Sequence, residues 1–76
     1  MNFSEVLNLL KRGNKVARSG WIGKNMWVAV QYPDDYSKMT LPYLYMRTAQ
    51  GDFIPWTISQ ADVFAVDWSV IDTTES

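Results

Sequence analysis

The apolar residues nearest the start of the chain recur with helical spacing. They occupy positions i, i+3, i+4 and i+7 of one helical face, and they are Phe3, Val6, Leu7 and Leu10. Asn2 and Glu5 have the spacing of a capping box at a helix N-terminus. Gly13 suits the position just after the helix C-terminus. The pattern therefore predicts a helix over 3–12.

The remainder of the chain contains short β-branched and aromatic runs separated by turn-forming residues, which predicts strands joined by turns. The predicted strands are 15–18, 26–31, 43–48, 53–56 and 67–71. The second of these is apolar on both sides, which is typical of a central strand. Ser59 and Asp62 have the spacing of an N-cap and its third helical residue, so a second, short helix is predicted over 59–64.

Together these elements predict an α+β fold, in which an N-terminal helix packs across a small antiparallel β-sheet and a short second helix follows. With 76 residues, the chain is expected to form one domain over 1–76. Its polar end, 72–76, is expected to fray. A chain of this size buries only about 60% of its extended surface on folding, so an isolated monomer is expected to be marginally stable.

Charge and composition exclude several classes of function. The formal net charge is −1, so no basic surface for a DNA or RNA duplex is expected. The chain has neither cysteine nor histidine, which excludes Cys–His and Ser–His nucleophiles and the usual zinc sites. No catalytic residue, metal site or cofactor is predicted. The sequence shows no signal peptide and no membrane-spanning segment, so a cytoplasmic protein is expected.

Four tryptophans in so short a chain suggest a surface for flat ligands. Trp21 lies between two glycines, with Arg18 and Lys24 on either side. Glycines allow a ligand to approach the backbone, and successive turn N–H groups can bind an anion. The candidate ligand-binding residues of this segment are Arg18, Trp21, Gly23, Lys24, Asn25 and Met26. A tight turn with solvated cations is the alternative, and the residues of this segment taken alone favour it.

Trp56 precedes a second cluster of polar side chains. Ser59, Gln60 and Asp62 could bind ribose hydroxyls or base edges, or they could simply cap the short helix. On the strand 43–48, alternation places Tyr43, Tyr45 and Arg47 on one side. That stripe could bind a ligand, face solvent or contact another subunit.

Four ordered blocks in this chain resemble a known family. They are Arg18-x-Gly20-Trp21-x-Gly23-Lys24-x-Met26, Met46-x-Thr48-Ala49-x-Gly51, Pro55-Trp56-x-x-Ser59-Gln60-x-Asp62 and Asp67-Trp68. The family is the phage anti-Thoeris "sponge" family, the second type of Thoeris anti-defence protein. The resemblance covers about residues 1–71, although the segment 31–42 is shorter here than in many members.

The resemblance implies a homotetramer that acts in the infected bacterial cell. Members bind and sequester cyclic ADP-ribose isomers without degrading them, and some also sequester cyclic di- or trinucleotides of the CBASS defence system. We therefore expect a non-enzymatic trap whose sites form between subunits. Trp21 and Trp56 would stack on bases. The candidates for phosphate contact are Arg18, Lys24 and Arg47. The candidates for contact with ribose or base edges are Ser59, Gln60 and Asp62.

Two other functions fit the residues less directly. An inhibitor that binds a defence nuclease, as an anti-CRISPR protein does, could use the aromatic residues against its protein target. A phosphodiesterase is disfavoured because the usual catalytic residues are missing. A small-molecule thermal shift, and recovery of intact ligand, distinguish these functions from a trap.

Overall fold

The structure is a computed structural model that describes residues 1–21 and 24–71. The predictions for Gly23 as a ligand-binding residue and for fraying of 72–76 lie outside the described residues.

The first helix, α1 (Phe3–Lys11), begins as its sequence predicts. The Glu5 backbone N–H donates to Asn2 Oδ1 at 3.0 Å, and the Asn2 N–H donates to Glu5 Oε1 at 3.1 Å. This reciprocal pair satisfies two N–H groups that the helix itself cannot pair. Gly13 follows the helix with φ of 95°, a conformation that favours glycine. The helix and its capping box are confirmed.

Five antiparallel strands form one sheet in the order β4-β3-β2-β1-β5. They are β1 (Lys15–Arg18), β2 (Trp27–Gln31), β3 (Tyr43–Arg47), β4 (Phe53–Pro55) and β5 (Trp68–Ile71). The second helix, α2 (Gln60–Phe64), lies between β4 and β5 in the chain. The apolar strand β2 occupies the middle of the sheet. The predicted α+β architecture is therefore confirmed.

The hydrophobic core lies between the sheet and α1, which packs on β1, β2 and β5. Its buried side chains are Val6, Leu10, Val16, Val28, Met46 and Trp68. Since side chains alternate along a strand, the residues between these point to the opposite face of the sheet. Within residues 1–21 and 24–71, no helix or strand packs on that opposite face.

Both edges of the sheet are protected against pairing with another strand. On the outer edge of β4, Pro55 has no N–H to donate. On the outer edge of β5, the Trp68 N–H donates to the Met1 carbonyl at 3.2 Å. The Met1 ammonium in turn donates to the carbonyls of Trp68 and Val66, at 3.0 Å and 3.2 Å. Extension of the sheet by strand addition is therefore disfavoured.

Candidate functional site

Three tryptophans meet at the end of the core where α2 begins. Trp21 follows β1, Trp56 follows β4 and Trp68 begins β5. The centroid of the Trp21 ring lies 5.9 Å from that of Trp56 and 5.4 Å from that of Trp68, and the Trp56 and Trp68 centroids are 6.4 Å apart. All three contacts are edge to face, the arrangement that the ring quadrupoles favour. We call these three residues the indole triad.

Asp62 of α2 holds two members of the indole triad. Its Oδ1 accepts hydrogen bonds from Trp21 Nε1 at 3.3 Å and from Arg18 Nη1 at 2.8 Å. Its Oδ2 accepts from the Ser59 hydroxyl at 2.8 Å, and its backbone carbonyl accepts from Trp68 Nε1 at 2.9 Å. Asp62 is only 9% exposed. Its carboxylate therefore acts inside the protein, where it fixes the orientation of the Trp21 ring.

Trp56 differs from the other two members of the indole triad. Within the described part of the chain, its indole N–H has no acceptor. Since every buried side-chain nitrogen and oxygen there has a hydrogen-bond partner, the Trp56 N–H is not a buried one. The half-buried ring also lines a groove of about 390 Å³ between residues 39–44 and residues 55–57. Trp56 thus combines a partly exposed ring with an N–H that no described residue accepts, which are the features that a flat polar ligand requires.

The turn after β1 binds an anion, but that anion is a side chain of the same protein. Asp67 Oδ1 accepts from Arg18 Nε at 2.8 Å. Its Oδ2 accepts from the Gly20 backbone N–H at 2.9 Å and from the Ser19 hydroxyl at 3.2 Å. Both interpretations of this segment therefore apply. The segment is a tight turn, and it binds an anion, which is the Asp67 carboxylate. Arg18 lies between two carboxylates, those of Asp62 and Asp67.

These contacts shift the pKa values of Arg18, Asp62 and Asp67. Burial alone would raise the pKa of Asp62, but hydrogen bonds from Arg18, Ser59 and Trp21 outweigh burial and lower it. The hydrogen bond from Arg18 is the largest influence on Asp67, and it lowers the pKa of that carboxyl. The same two carboxylates raise the pKa of Arg18, with Asp67 contributing most. The three groups are therefore all charged at neutral pH.

The structure brings five of the predicted ligand-binding residues together around the indole triad. They are Arg18, Trp21, Trp56, Ser59 and Asp62. Gln60 is exposed at the first position of α2, next to this group in sequence.

The other described candidates make different contacts. Lys24 is exposed, and Met26 packs on the core. The Asn25 carbonyl accepts from Arg47 Nη1 at 2.9 Å, and the same nitrogen donates to the Thr48 carbonyl at 3.2 Å. Arg47 and Tyr43 belong to the face of the sheet opposite α1, where alternation along β3 predicts them. Tyr43 also lines the groove beside Trp56, so one of these candidates adjoins the indole triad.

Sequence reasoning missed the role of Asp67 and the membership of Trp68 in the indole triad. Trp68 is predicted only as a strand residue, and its partners stand 12 and 47 positions away in the chain. No local pattern encodes such a contact. The one available signal was the adjacency of Asp67 and Trp68 in the last of the four resembling blocks.

No group of three or more histidine, cysteine, aspartate or glutamate side chains is placed to hold a metal ion within residues 1–21 and 24–71. Nor does that part of the chain contain a helix with the length and apolar character needed to cross a membrane.

Comparison with known proteins gives consistent matches. A family model, the Thoeris anti-defense 2-like domain, matches residues 1–71. The chain is also similar to the Thoeris anti-defense 2 protein of Bacillus phage SP01, with 34% identity over 93% of this chain and 94% of the relative. That alignment runs over 84 positions, whereas this chain has only 76 residues. The relative therefore carries residues that have no counterpart here.

Proposed function

Because this chain belongs to the Thoeris anti-defense 2-like family, whose role is phage anti-defence, we propose that it is a trap for a small signalling molecule. The molecule is a cyclic ADP-ribose isomer, and the protein binds it without chemical change. Binding lowers the free concentration of the messenger, so the Thoeris effector is not activated. Cyclic di- and trinucleotides of the CBASS system are the second class of ligand for this protein.

The observation that carries this proposal is the position of Trp56 beside a groove. Stacking of a base on an aromatic ring contributes about 1–3 kcal/mol. Trp21 and Trp68 have their N–H groups occupied by Asp62, so Trp56 is the member of the indole triad that can both stack and donate. The other two rings hold it in place from the side. A preorganised ring loses little entropy when a ligand binds.

The cluster formed by Arg18, Asp62 and Asp67 is unsuited to binding phosphates. Arg18 is neutralised by Asp62 and Asp67, and the three groups together carry one net negative charge. A pyrophosphate placed against them would be repelled. We therefore assign Arg18 and Asp62 a positioning role, in which they hold Trp21. The exposed Lys24 remains the candidate for phosphate contact from the turn after β1.

The size of the groove supports an assembly. Pockets for small molecules occupy about 300–1,000 Å³, and the groove beside Trp56 lies near the lower end of that range at about 390 Å³. It is also open to solvent. A second copy of the chain would close it and would supply further contacts to a ligand of dinucleotide size. We therefore include a homotetramer, with sites between subunits, in the proposal.

A comparison of two variants tests the site. Trp56→Ala should lower the affinity for a cyclic ADP-ribose isomer by about tenfold or more, as the loss of one stacked base predicts. Phe64→Ala is the matched control, because Phe64 is 78% exposed on α2 and does not line the groove. Isothermal titration calorimetry gives both affinities. Equal binding by the wild type and Trp56→Ala would contradict the assignment of the site.

The fate of the ligand tests the mechanism. A complex denatured after long incubation should release the unmodified messenger, which mass spectrometry identifies. Recovery of a linear product would show an enzyme instead. If a panel of cyclic ADP-ribose isomers and cyclic oligonucleotides gives no thermal shift, and the protein forms a stable complex with a defence nuclease, the anti-CRISPR-like function is correct.

A further inference from the structure

The face of the sheet opposite α1 contains a slot between aromatic side chains. The slot lies over β2, β3 and β4 and has a volume of about 370 Å³. We call it the aromatic slot, and its lining residues are Gln31, Tyr43, Tyr45, Phe53, Ile54 and Pro55. In the described part of the chain, neither helix nor strand covers this face. The aromatic slot is therefore open to a partner from outside the chain.

The rings of the aromatic slot are held by one another before anything binds. The Tyr45 and Phe53 centroids lie 5.9 Å apart, and the neighbouring Trp27 centroid lies 5.7 Å from Tyr45 and 6.0 Å from Phe53. All three contacts are tilted or edge to face, so the rings use part of their faces on one another. A nucleobase needs an open ring face on which to stack. A compact saturated ring can instead pack against ring edges, and Phe53, which is 65% exposed, offers it apolar surface.

The polar groups of the aromatic slot are suited to a partner that accepts hydrogen bonds. Within residues 1–21 and 24–71, the Tyr43 and Tyr45 hydroxyls have no hydrogen-bond partner, and neither is a buried one. Gln31 Nε2 makes only a long hydrogen bond, to the Tyr32 carbonyl at 3.4 Å. None of the lining side chains is a carboxylate. A proline residue complements such a surface, because it has a carbonyl acceptor and no N–H donor.

Two cations lie at one end of the aromatic slot. Arg47 stands opposite Phe53 on β4 and opposite Trp27 on β2, and the Lys15 ammonium lies 4.5 Å from the centroid of the Trp27 ring. Arg47 donates to two uncharged backbone carbonyls. Both ion pairs among the described residues are made by Arg18, so the charges of Lys15 and Arg47 are not neutralised there. Charge complementarity therefore favours a partner with a carboxylate at this end.

We infer that the aromatic slot binds a proline-rich segment of another protein, in which an acidic residue follows the prolines. The segment adopts the polyproline II conformation, whose carbonyls have no partners within the helix and which aromatic-lined grooves recognise. Arg47 lies two residues beyond Tyr45 along β3, a distance of about 7 Å. Since polyproline II rises about 3.1 Å per residue, the acidic residue stands about two positions after the last proline in the slot. This binding is additional to the proposed trap.

Fluorescence anisotropy of a labelled synthetic peptide tests this inference. The probe is a run of prolines followed by two glutamates, and the wild-type protein should bind it saturably. Phe53→Ala removes an exposed wall of the aromatic slot and should lower the affinity by about tenfold. Tyr45→Phe keeps the ring, removes one donor and should lower the affinity by about fivefold. Phe64→Ala is the control, because Phe64 is 78% exposed on α2, which packs on α1 on the other side of the sheet, and it should leave the affinity unchanged.

Two altered peptides test the two parts of the partner separately. A peptide with alanines in place of the prolines should bind about tenfold more weakly, because it lacks the saturated rings and the preformed conformation. A peptide with two lysines in place of the glutamates should bind about fivefold more weakly, as the loss of exposed charge pairs predicts. In Lys15→Gln the difference between the glutamate and lysine peptides should decrease. A lysine peptide that binds the wild type as well as the glutamate peptide would overturn the acidic part of the inference.

Three other results would overturn the inference as a whole. The first is a wild type that shows no saturable binding of the glutamate peptide into the high micromolar range. The second is equal binding by the wild type, Phe53→Ala and Tyr45→Phe, which would place the peptide outside the aromatic slot. The third is tighter binding of a single-stranded oligonucleotide than of the peptide, abolished by Phe53→Ala, which would show a nucleic acid surface instead. Messenger titration with Trp56→Ala is a separate measurement, so the trap and the aromatic slot can fail independently.

Discussion

Replacing Asp62 by asparagine should destabilise the protein, because the Asp62 carboxylate binds both Arg18 and Trp21. The substitution keeps the size of the side chain and an oxygen for Ser59. It removes the charge that Arg18 and the Trp21 N–H bind. Hydrogen bonds to charged groups contribute about 1.5–3 kcal/mol each. Removing one partner of a buried ion pair costs about 3–5 kcal/mol.

The arrangement around Arg18 places the expected loss at the lower end of these ranges. The Arg18 side chain is 22% exposed, and it keeps its second partner, Asp67. We therefore expect a loss of about 2–3 kcal/mol. A domain of this length has a free energy of unfolding of about 4–11 kcal/mol. The variant should remain folded at room temperature, but its Tm should fall by about 10–20 °C.

Urea unfolding followed by tryptophan fluorescence measures this loss directly. Asp35→Asn is the matched control, because Asp35 is an exposed residue of the loop between β2 and β3. Its effect should stay within about 0.5 kcal/mol. If Asp62→Asn also falls within that limit, the contacts of Asp62 with Arg18 and Trp21 do not stabilise the fold, and the positioning role assigned to Asp62 is wrong.

Two further predictions follow from the contacts. Asp62 and Asp67 have lowered pKa values in the folded protein, so their contribution to stability is present above the unfolded value of about 4 and is lost as pH falls through the folded values. The urea midpoint of the wild type should therefore be constant from pH ~5 to ~8 and should decrease below pH ~4. In Asp67→Asn the decrease should be less steep. A wild-type midpoint that stays constant down to pH ~2 would contradict this. Gly51 has φ of 94° in the turn between β3 and β4, and an added Cβ would meet only Arg47 Nη2 at 3.5 Å. Gly51→Ala should therefore cost about 1 kcal/mol from the backbone alone, and Gly51→Asn should cost less in the same urea assay.

Local sequence signals were sufficient for the elements of the fold. The capping box of α1 involves residues three apart, and the alternation in β3 is visible within five residues. The N-cap of α2 by Ser59 is also local. Each of these patterns acts through neighbouring backbone groups, so its outcome depends little on the rest of the chain. For this reason the order and type of the elements could be predicted.

The organisation of the candidate site could be predicted only in part. The sequence predicted that Trp21 and Trp56 bind a ligand. It did not predict that Asp62 accepts a hydrogen bond from the Trp21 N–H and none from the Trp56 N–H. Arg18 reaches partners 44 and 49 positions away, and no periodicity encodes such distances. A cation beside a glycine turn is compatible with a phosphate or with a carboxylate of the same chain. Only the folded arrangement distinguishes the two.

The close packing of Trp21, Trp56 and Trp68 has an optical consequence. Indoles with centroids 5.4–6.4 Å apart and nearly perpendicular planes share their electronic excitation. The circular dichroism spectrum should therefore contain a paired positive and negative band that isolated tryptophans do not show. A molecule that stacks on one ring alters the transition energy of that ring and unbalances the pair. The protein thus carries an intrinsic spectroscopic reporter, which requires neither a label nor a competing dye.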